Sequence, residues 1–301
     1  MQKKILYFSI IAIALFSFIA ISLYVGAHHV APYAIIQPAR FKAQAQFLKD
    51  SSFKSYEILA RDGILLKTLI LRSQQPTSRG TLLLLHGIAA SKEQNISPAE
   101  SFSQSGFDVV IFDLRAHGES GGKYCTYGYE EKRDVSDIIT FLFKNGIADS
   151  AKPLGVIGVS LGGAIALQAM AEDKRISCGI VESTFSSLDD VVYDYLVRIA
   201  KLPIRWMSKT ALHEAARIAG FMPDDVCPAE AARKITQPIL YIHGTDDAHI
   251  PLWHGEKIFK NIASEKKEFL KIDKAEHFTV SLVGGENYKR KRAEFFKRYM
   301  P

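Results

Sequence analysis

The residues best equipped for chemistry sit in one hexapeptide, Gly158-Val159-Ser160-Leu161-Gly162-Gly163. It follows a short apolar run, Pro153–Ile157, and opens an alanine-rich stretch, Ala164–Ala171. Strand, G-x-S-x-G and helix in that order form a turn so tight that its flanks must be glycine. The serine is strained at the apex and its hydroxyl is pushed clear of the strand. The bland alternative is a glycine-rich turn carrying an idle serine. A serine hydroxyl is a poor nucleophile by itself. To attack a carbonyl it needs a histidine as base, and the histidine needs a carboxylate to orient it. The attack also creates an oxyanion that must meet N–H donors. The N–H of Leu161, at the start of the following helix, is one such donor.

The elements that must position these groups follow from the apolar pattern. Tyr56–Ala60 and Ile64–Leu71 read as strands joined by Asp62-Gly63, a hairpin signal. Thr81–Leu85 and Phe107–Phe112 are continuous apolar runs of the kind that form strands buried on both faces. Leu154–Ile157, Cys178–Val181, Pro238–Ile242 and Glu268–Ile272 supply four more strands. Tyr129–Phe143 and Leu282–Tyr299 have helical spacing. Strands alternating with helices predict an α/β fold: a mostly parallel central sheet, helices on both faces, and an antiparallel hairpin at its start. Sites in such sheets lie at the carboxyl ends of the strands. Leu188–Thr236 interrupts the alternation and reads as a helical lid, residues 188–236. Its apolar residues, among them Val191, Val192, Tyr195, Leu196, Ile199, Leu202, Trp206 and Met207, either pack it onto the core or line an acyl pocket.

Nine histidines compete for the base. His28 and His29 lie far from the sheet in sequence, and His213 lies in the lid. His86, His117 and His243 each precede a glycine at a strand end. His277 follows the last strand, where the chain order Ser, acid, His places the base. The acid should then follow Pro238–Ile242, and two aspartates stand there, Asp246 and Asp247. Adjacent loop residues cannot both aim at one imidazole; the spacing to Ile250-Pro251 favours Asp247, leaving Asp246 as a turn former. A second oxyanion donor is expected from the loop after Thr81–Leu85, where Gly87 lets the backbone turn and the N–H of Ile88 point inward.

Outside that core, the N-terminus carries the strongest signal. Gln2-Lys3-Lys4 precedes Ile5–Val25, a run without charge. As a helix it would rise about 31 Å, the thickness of a bilayer's hydrocarbon core. The flanking lysines place the N-terminus in the cytoplasm and everything after the run on the outer side. Residues 1–27 are therefore expected to be a signal anchor and residues 28–54 a juxtamembrane linker, with some helical periodicity in Phe41–Leu48. A signal peptide cleaved near Val25-Gly26-Ala27, giving a secreted protein, is the alternative. Net charge is +6, and six basic residues cluster between Lys289 and Arg298. They read as the solvated face of a terminal helix, with attraction to anionic lipid as the alternative. No basic–aromatic repeat points to nucleic acid. Cys125, Cys178 and Cys227 form neither a metal-ligand cluster nor a disulfide framework, although a Cys125–Cys227 bridge stays open in an oxidising compartment.

Five ordered motifs carry a resemblance: His86-Gly87, Asp113-Leu114-Arg115-Ala116-His117-Gly118-Glu119-Ser120, Gly158–Gly163, the acid loop His243–Pro251, and His277. The chain resembles the alpha/beta-hydrolase superfamily over residues 55–301. Ala116 stands where many relatives have glycine. The resemblance implies the alpha/beta-hydrolase fold and hydrolysis through Ser160, His277 and Asp247, with Ile88 and Leu161 as oxyanion donors and no cofactor or metal. It leaves open whether the substrate is a carboxylic ester, a thioester or an amide. An anchored catalytic domain under an apolar lid leans towards a lipid or other small-molecule acyl ester. A peptidase or aminopeptidase is the runner-up, and a scaffold that keeps the fold without turnover is the alternative of a different class.

Overall fold

The computed structural model describes residues 21–41 and 52–301, together with Leu15, Ser17 and Phe18. Eight strands form one sheet: β1 (Lys54–Leu59), β2 (Leu65–Leu71), β3 (Thr81–Leu85), β4 (Asp108–Phe112), β5 (Leu154–Val159), β6 (Ile176–Glu182), β7 (Ile239–Gly244) and β8 (Lys267–Ile272). Their spatial order is β1-β2-β4-β3-β5-β6-β7-β8. β1 and β2 form the expected hairpin, with Leu59 opposite Leu65 and Gly63 at φ 85° in the turn. β2 also pairs antiparallel with β4, and from β4 to β8 every pairing is parallel.

The period of two explains why the central strands read as unbroken apolar runs. Leu82 and Leu84 of β3 join Val109, Ile111, Ile157 and Ile180 on one face. Leu83 and Leu85 join Val110, Phe112, Val156 and Val181 on the other. Both faces are covered, so all of β3 is buried. Each such leucine or valine contributes about 2 kcal/mol by area. Helix α2 (Ile96–Gln104), through Ala99 and Phe102, and the terminal helix, through Phe295 and Phe296, cover the first face. On the second face lie α3 (Glu131–Lys144), α4 (Leu161–Glu172) and α8 (Leu252–Asn261). Helix α4 is buried on all sides from Leu161 to Ala171, and its alanines and glycines let it approach the sheet closely.

Between β6 and β7 the insertion expected to act as a lid consists of α5 (Leu188–Ala200), α6 (Arg205–Ala219) and the short α7 (Pro228–Ala231). Ser187 caps α5, its hydroxyl accepting from the Asp190 N–H at 3.3 Å, and Lys201 in the left-handed conformation (φ 56°) ends it. The lid is held to the body by polar contacts: Asp194 accepts from His254 Nε2 at 3.0 Å, and Asp190 from Lys257 at 3.3 Å.

The helix expected over Leu282–Tyr299 is present as α9 (Val280–Tyr299). It is interrupted at Gly285, whose φ 49° and ψ −134° no helix accommodates. Its basic residues pair with carboxylates: Lys289 with Glu286, Arg290 with Glu294, and Lys291 and Arg298 with Glu268. All three cysteines are free thiols, so Cys125 and Cys227 do not form a bridge. The run Ile5–Val25 lies largely outside the described residues; its described end, 21–25, is helical. Among the described residues no helix is long and apolar enough to cross a membrane. Past Val25, a π-helical turn (Gly26–Val30) leads into α1 (Ala31–Ile36), which packs on α6 and buries Ile36 completely. A stretch expected as a linker is thus docked on the lid, because its apolar side chains find partners far away in sequence.

Candidate active site

β5 ends at Val159, and the next residue, Ser160, turns the chain into α4 with φ 54° and ψ −118°. This backbone is strained for any residue with a side chain. It is held by the Ser160 N–H donating to the Glu182 carbonyl of the neighbouring strand at 2.9 Å, and by Ser160's own carbonyl accepting from Gly163 at 3.0 Å. Glycine is required on both flanks. A Cβ on Gly158 would collide with the Gly162 carbonyl, and one on Gly162 with the carbonyls of Leu85 and His86.

The loops after β7 and β8 bring the other two predicted residues to this turn. His277 Nδ1 lies 2.7 Å from Asp247 Oδ2, and His277 Nε2 lies 3.1 Å from Ser160 Oγ. An ionised carboxylate only accepts, so the proton sits on Nδ1 and Nε2 presents its lone pair to the serine hydroxyl. The other oxygen of Asp247 accepts the backbone N–H groups of His249 at 2.9 Å and Ile250 at 2.8 Å. Burial pushes the Asp247 carboxyl up, but the hydrogen bond and charge of His277 and the Ile250 N–H outweigh it and hold it below the ordinary carboxylate value. Asp246, by contrast, is exposed and bonds the neighbouring Thr245 hydroxyl at 3.0 Å. The geometry can take a proton from Ser160 and keep the resulting imidazolium beside a negative charge.

The expected oxyanion donors lie beside the serine. Leu161 opens α4, so its N–H has no acceptor within the helix. The loop after β3 passes close to the turn: a Cβ on Gly87 would stand 3.6 Å from the Ser160 Cβ. Ile88 lines the same cavity as Ser160 and Leu161, and the chain bends away at Ala89 with φ 53°.

The remaining histidines of the sheet end are structural. His86 is fully buried; its Nε2 accepts from the Leu114 N–H at 3.0 Å while Nδ1 donates to the Gly87 carbonyl at 2.7 Å. Burial drives its pKa down to about 3, with His117 adding to the effect. His243 donates from Nε2 to the Ile250 carbonyl at 2.8 Å, which fixes the acid loop. The Asp113 motif is a scaffold for the loops: Asp113 accepts from the Lys92 N–H, Lys92 Nζ and the Glu119 N–H at 2.7, 2.9 and 2.9 Å. Ala116, within it, adopts φ 62°, a conformation that costs a non-glycine residue about 1 kcal/mol.

A cavity of about 330 Å³ opens at Ser160. Val191, Val192, Tyr195, Leu196 and Ile199 of α5 and Met207 of α6 line it, as do Tyr127 and Phe185. Of the lid residues singled out in the sequence, Leu202 and Trp206 are not on its wall, and Trp206 is exposed.

Comparison with known proteins agrees with the fold. A sequence profile of the alpha/beta hydrolase fold matches residues 80–228. The structure superposes on the esterase Pf2001 of Pyrococcus furiosus with a TM-score of 0.72 and 26% identity, over 89% of this chain and 99% of that one. The chain belongs to the alpha/beta-hydrolase superfamily. Among curated relatives, this hydrolase is 27% identical to Protein bem46 of Schizosaccharomyces pombe, over 88% of this chain and 84% of the relative. It is 34% identical to Thiohydrolase aneE of Aspergillus aculeatus over 51% of this chain and half of the relative. The fold and the esterase neighbours support hydrolysis as the activity of this chain.

Sequence reasoning did not anticipate two features of the hydrolase's site. His249 stacks on His277, ring centroids 5.3 Å apart and planes 24° from parallel, and both rings meet Phe278 edge-on. Its position in the acid loop was the available signal. The second is Glu182, at the end of β6. Its buried carboxylate accepts from the Tyr288 hydroxyl at 2.7 Å, and burial raises its pKa.

Proposed function

We propose that this hydrolase is a serine esterase acting on carboxylic esters of an apolar acyl chain. The observation that carries the reading is the relay Asp247–His277–Ser160 at the mouth of an apolar cavity. Ser160 Oγ attacks the acyl carbonyl carbon while its proton passes to His277 Nε2. The N–H groups of Ile88 and Leu161 meet the oxyanion. On collapse, the bond to the leaving alcohol breaks and His277 returns the proton to it, leaving an acyl-Ser160 ester. Water, deprotonated by His277, then releases the carboxylic acid and restores the serine. Asp247 keeps the imidazole in the tautomer this requires and balances its charge in both steps.

The uncharged run Ile5–Val25 with Lys3 and Lys4 before it supports a single-pass anchor, cytoplasmic N-terminus and outer catalytic domain. An apolar acyl site close to the bilayer suits a lipid or lipid-derived ester. A thioester is the second reading, favoured by the aneE relative and open to the same attack.

Hydrolysis of p-nitrophenyl esters, acyl thioesters and peptide amides by the full chain tests the reading. Turnover of acyl esters that vanishes in Ser160→Ala supports it. Efficient amide cleavage with poor ester cleavage would replace it by a peptidase.

A further inference from the structure

One part of the cavity wall comes from outside the motif-bearing domain. Gly26, Ala27, Ala31, Ala34 and Ile35 line it together with Ser160 and the lid. This stretch is fixed to the hydrolase body rather than draped over it. The Tyr127 hydroxyl, itself on the cavity, donates to the Ile35 carbonyl at 2.6 Å; the Cys125 N–H donates to the Ile36 carbonyl at 2.9 Å; and Arg40 donates to the Ser120 carbonyl at 2.7 Å. The backbone is also adapted here. In the π-helical turn the Ala31 N–H reaches back five residues to the Gly26 carbonyl, a widening that recurs at functional sites.

Gly26 is the telling residue. Glycine within a helix costs about 1 kcal/mol against alanine. Neither conformation nor crowding demands it: its φ is not left-handed, and a Cβ there would meet nothing within 4 Å. A side chain there would enter open space, and Gly26 itself lines the cavity. Ala31 and Ala34 extend the same economy along α1, while the facing lid residues Val192, Leu196 and Ile199 are larger and branched.

We propose that Gly26, Ala27, Ala31, Ala34 and Ile35 form one wall of the acyl site and set the length of the linear acyl chain the enzyme accepts. This rests on the reading of Ser160 as the nucleophile of an acyl esterase. The acyl chain runs from Ser160 between α5 and the N-terminal segment, towards the end of the apolar run Ile5–Val25. Chain-length selectivity is thereby built into residues at the junction of anchor and hydrolase domain.

The test measures kcat/KM of the full-length, detergent-solubilised protein for p-nitrophenyl decanoate and propionate, read as a ratio within each variant. Gly26→Leu and Ala31→Leu should each lower the decanoate-to-propionate ratio about ten-fold or more, as expected when side-chain atoms occupy space the substrate needs. Tyr33→Ala, on the same helix but exposed and off the cavity wall, should keep the wild-type ratio. A wild-type ratio in both leucine variants, or equal loss on both esters, overturns the proposal. In that case Ser160→Ala still abolishes both reactions; if it does not, the esterase reading itself has failed.

Discussion

Asp247 and His277 meet at 2.7 Å across loops from adjacent strands, while Asp246, one residue earlier, faces solvent. Only Asp247 can fix the tautomer of the imidazole. Asp247→Asn replaces an acceptor by a group that can donate to Nδ1 and turn the base around. Turnover is expected to fall on the order of a thousand-fold or more, with KM little changed. Asp246→Asn is expected to stay within about two-fold of wild type. Steady-state kinetics of the two variants check the assignment, and the opposite ranking would refute it.

The turn around Ser160 depends on close approach. A Cβ on Gly158 has no space against the Gly162 carbonyl, so Gly158→Ala must move α4 or the end of β5. A loss of about 2–4 kcal/mol is expected, together with loss of activity, because the same turn aims Ser160 and the Leu161 N–H. Urea unfolding at neutral pH measures the first and ester hydrolysis the second.

How much of this was legible follows from where each signal resides. Ser160, Asp247 and His277 each follow a strand, so the parallel sheet fixes their meeting place once the strands are recognised. The N-terminal wall was not legible: Ala31–Ile36 carries a proline in its first turn and buries Ile36 against partners distant in sequence. Helices α2 and α8 escaped for another reason. α8 exposes Trp253 and turns Gly255 and His254 inward with Ile258, against Tyr241, His243 and Ser186, so only part of its buried face is apolar and its most prominent apolar residue faces out. Parallel pairing of β7 with β8 nevertheless demanded a crossover there. Stacking of His249 on His277 depends on side-chain directions within one loop, which spacing does not encode.

His254 joins the lid to the body in its neutral form. Its Nδ1 accepts from the Ser186 N–H at 3.0 Å, and burial lowers its pKa to about 3. Between that value and the ordinary histidine value of about 6.5, the unfolded chain binds the proton and the folded chain does not. Stability is therefore fully present above the upper value and falls as pH drops through the window. The Asp194 carboxylate at Nε2 favours the protonated ring and offsets part of this, so at pH 5 the loss from this group is at most about 2 kcal/mol. Urea midpoints at pH 7 and pH 5 should fall further apart in the wild type than in His254→Asn. Equal separations would contradict this role for His254.

The proposed anchor has its own test. With Ile5–Val25 intact, the protein is expected in the membrane pellet after alkaline carbonate washing, with its hydrolase domain digested by protease added from the outer side. A soluble product whose N-terminal residue lies near Ala27 would establish cleavage instead.

The central claim is that Ser160 is an activated nucleophile, and covalent labelling measures it most directly. A fluorophosphonate should modify the wild-type protein once, mass spectrometry should place the adduct on Ser160, and Ser160→Ala should remain unlabelled while still folded. Folded wild-type protein that takes no label, or a Ser160→Ala variant that labels as well as the wild type, would contradict the account.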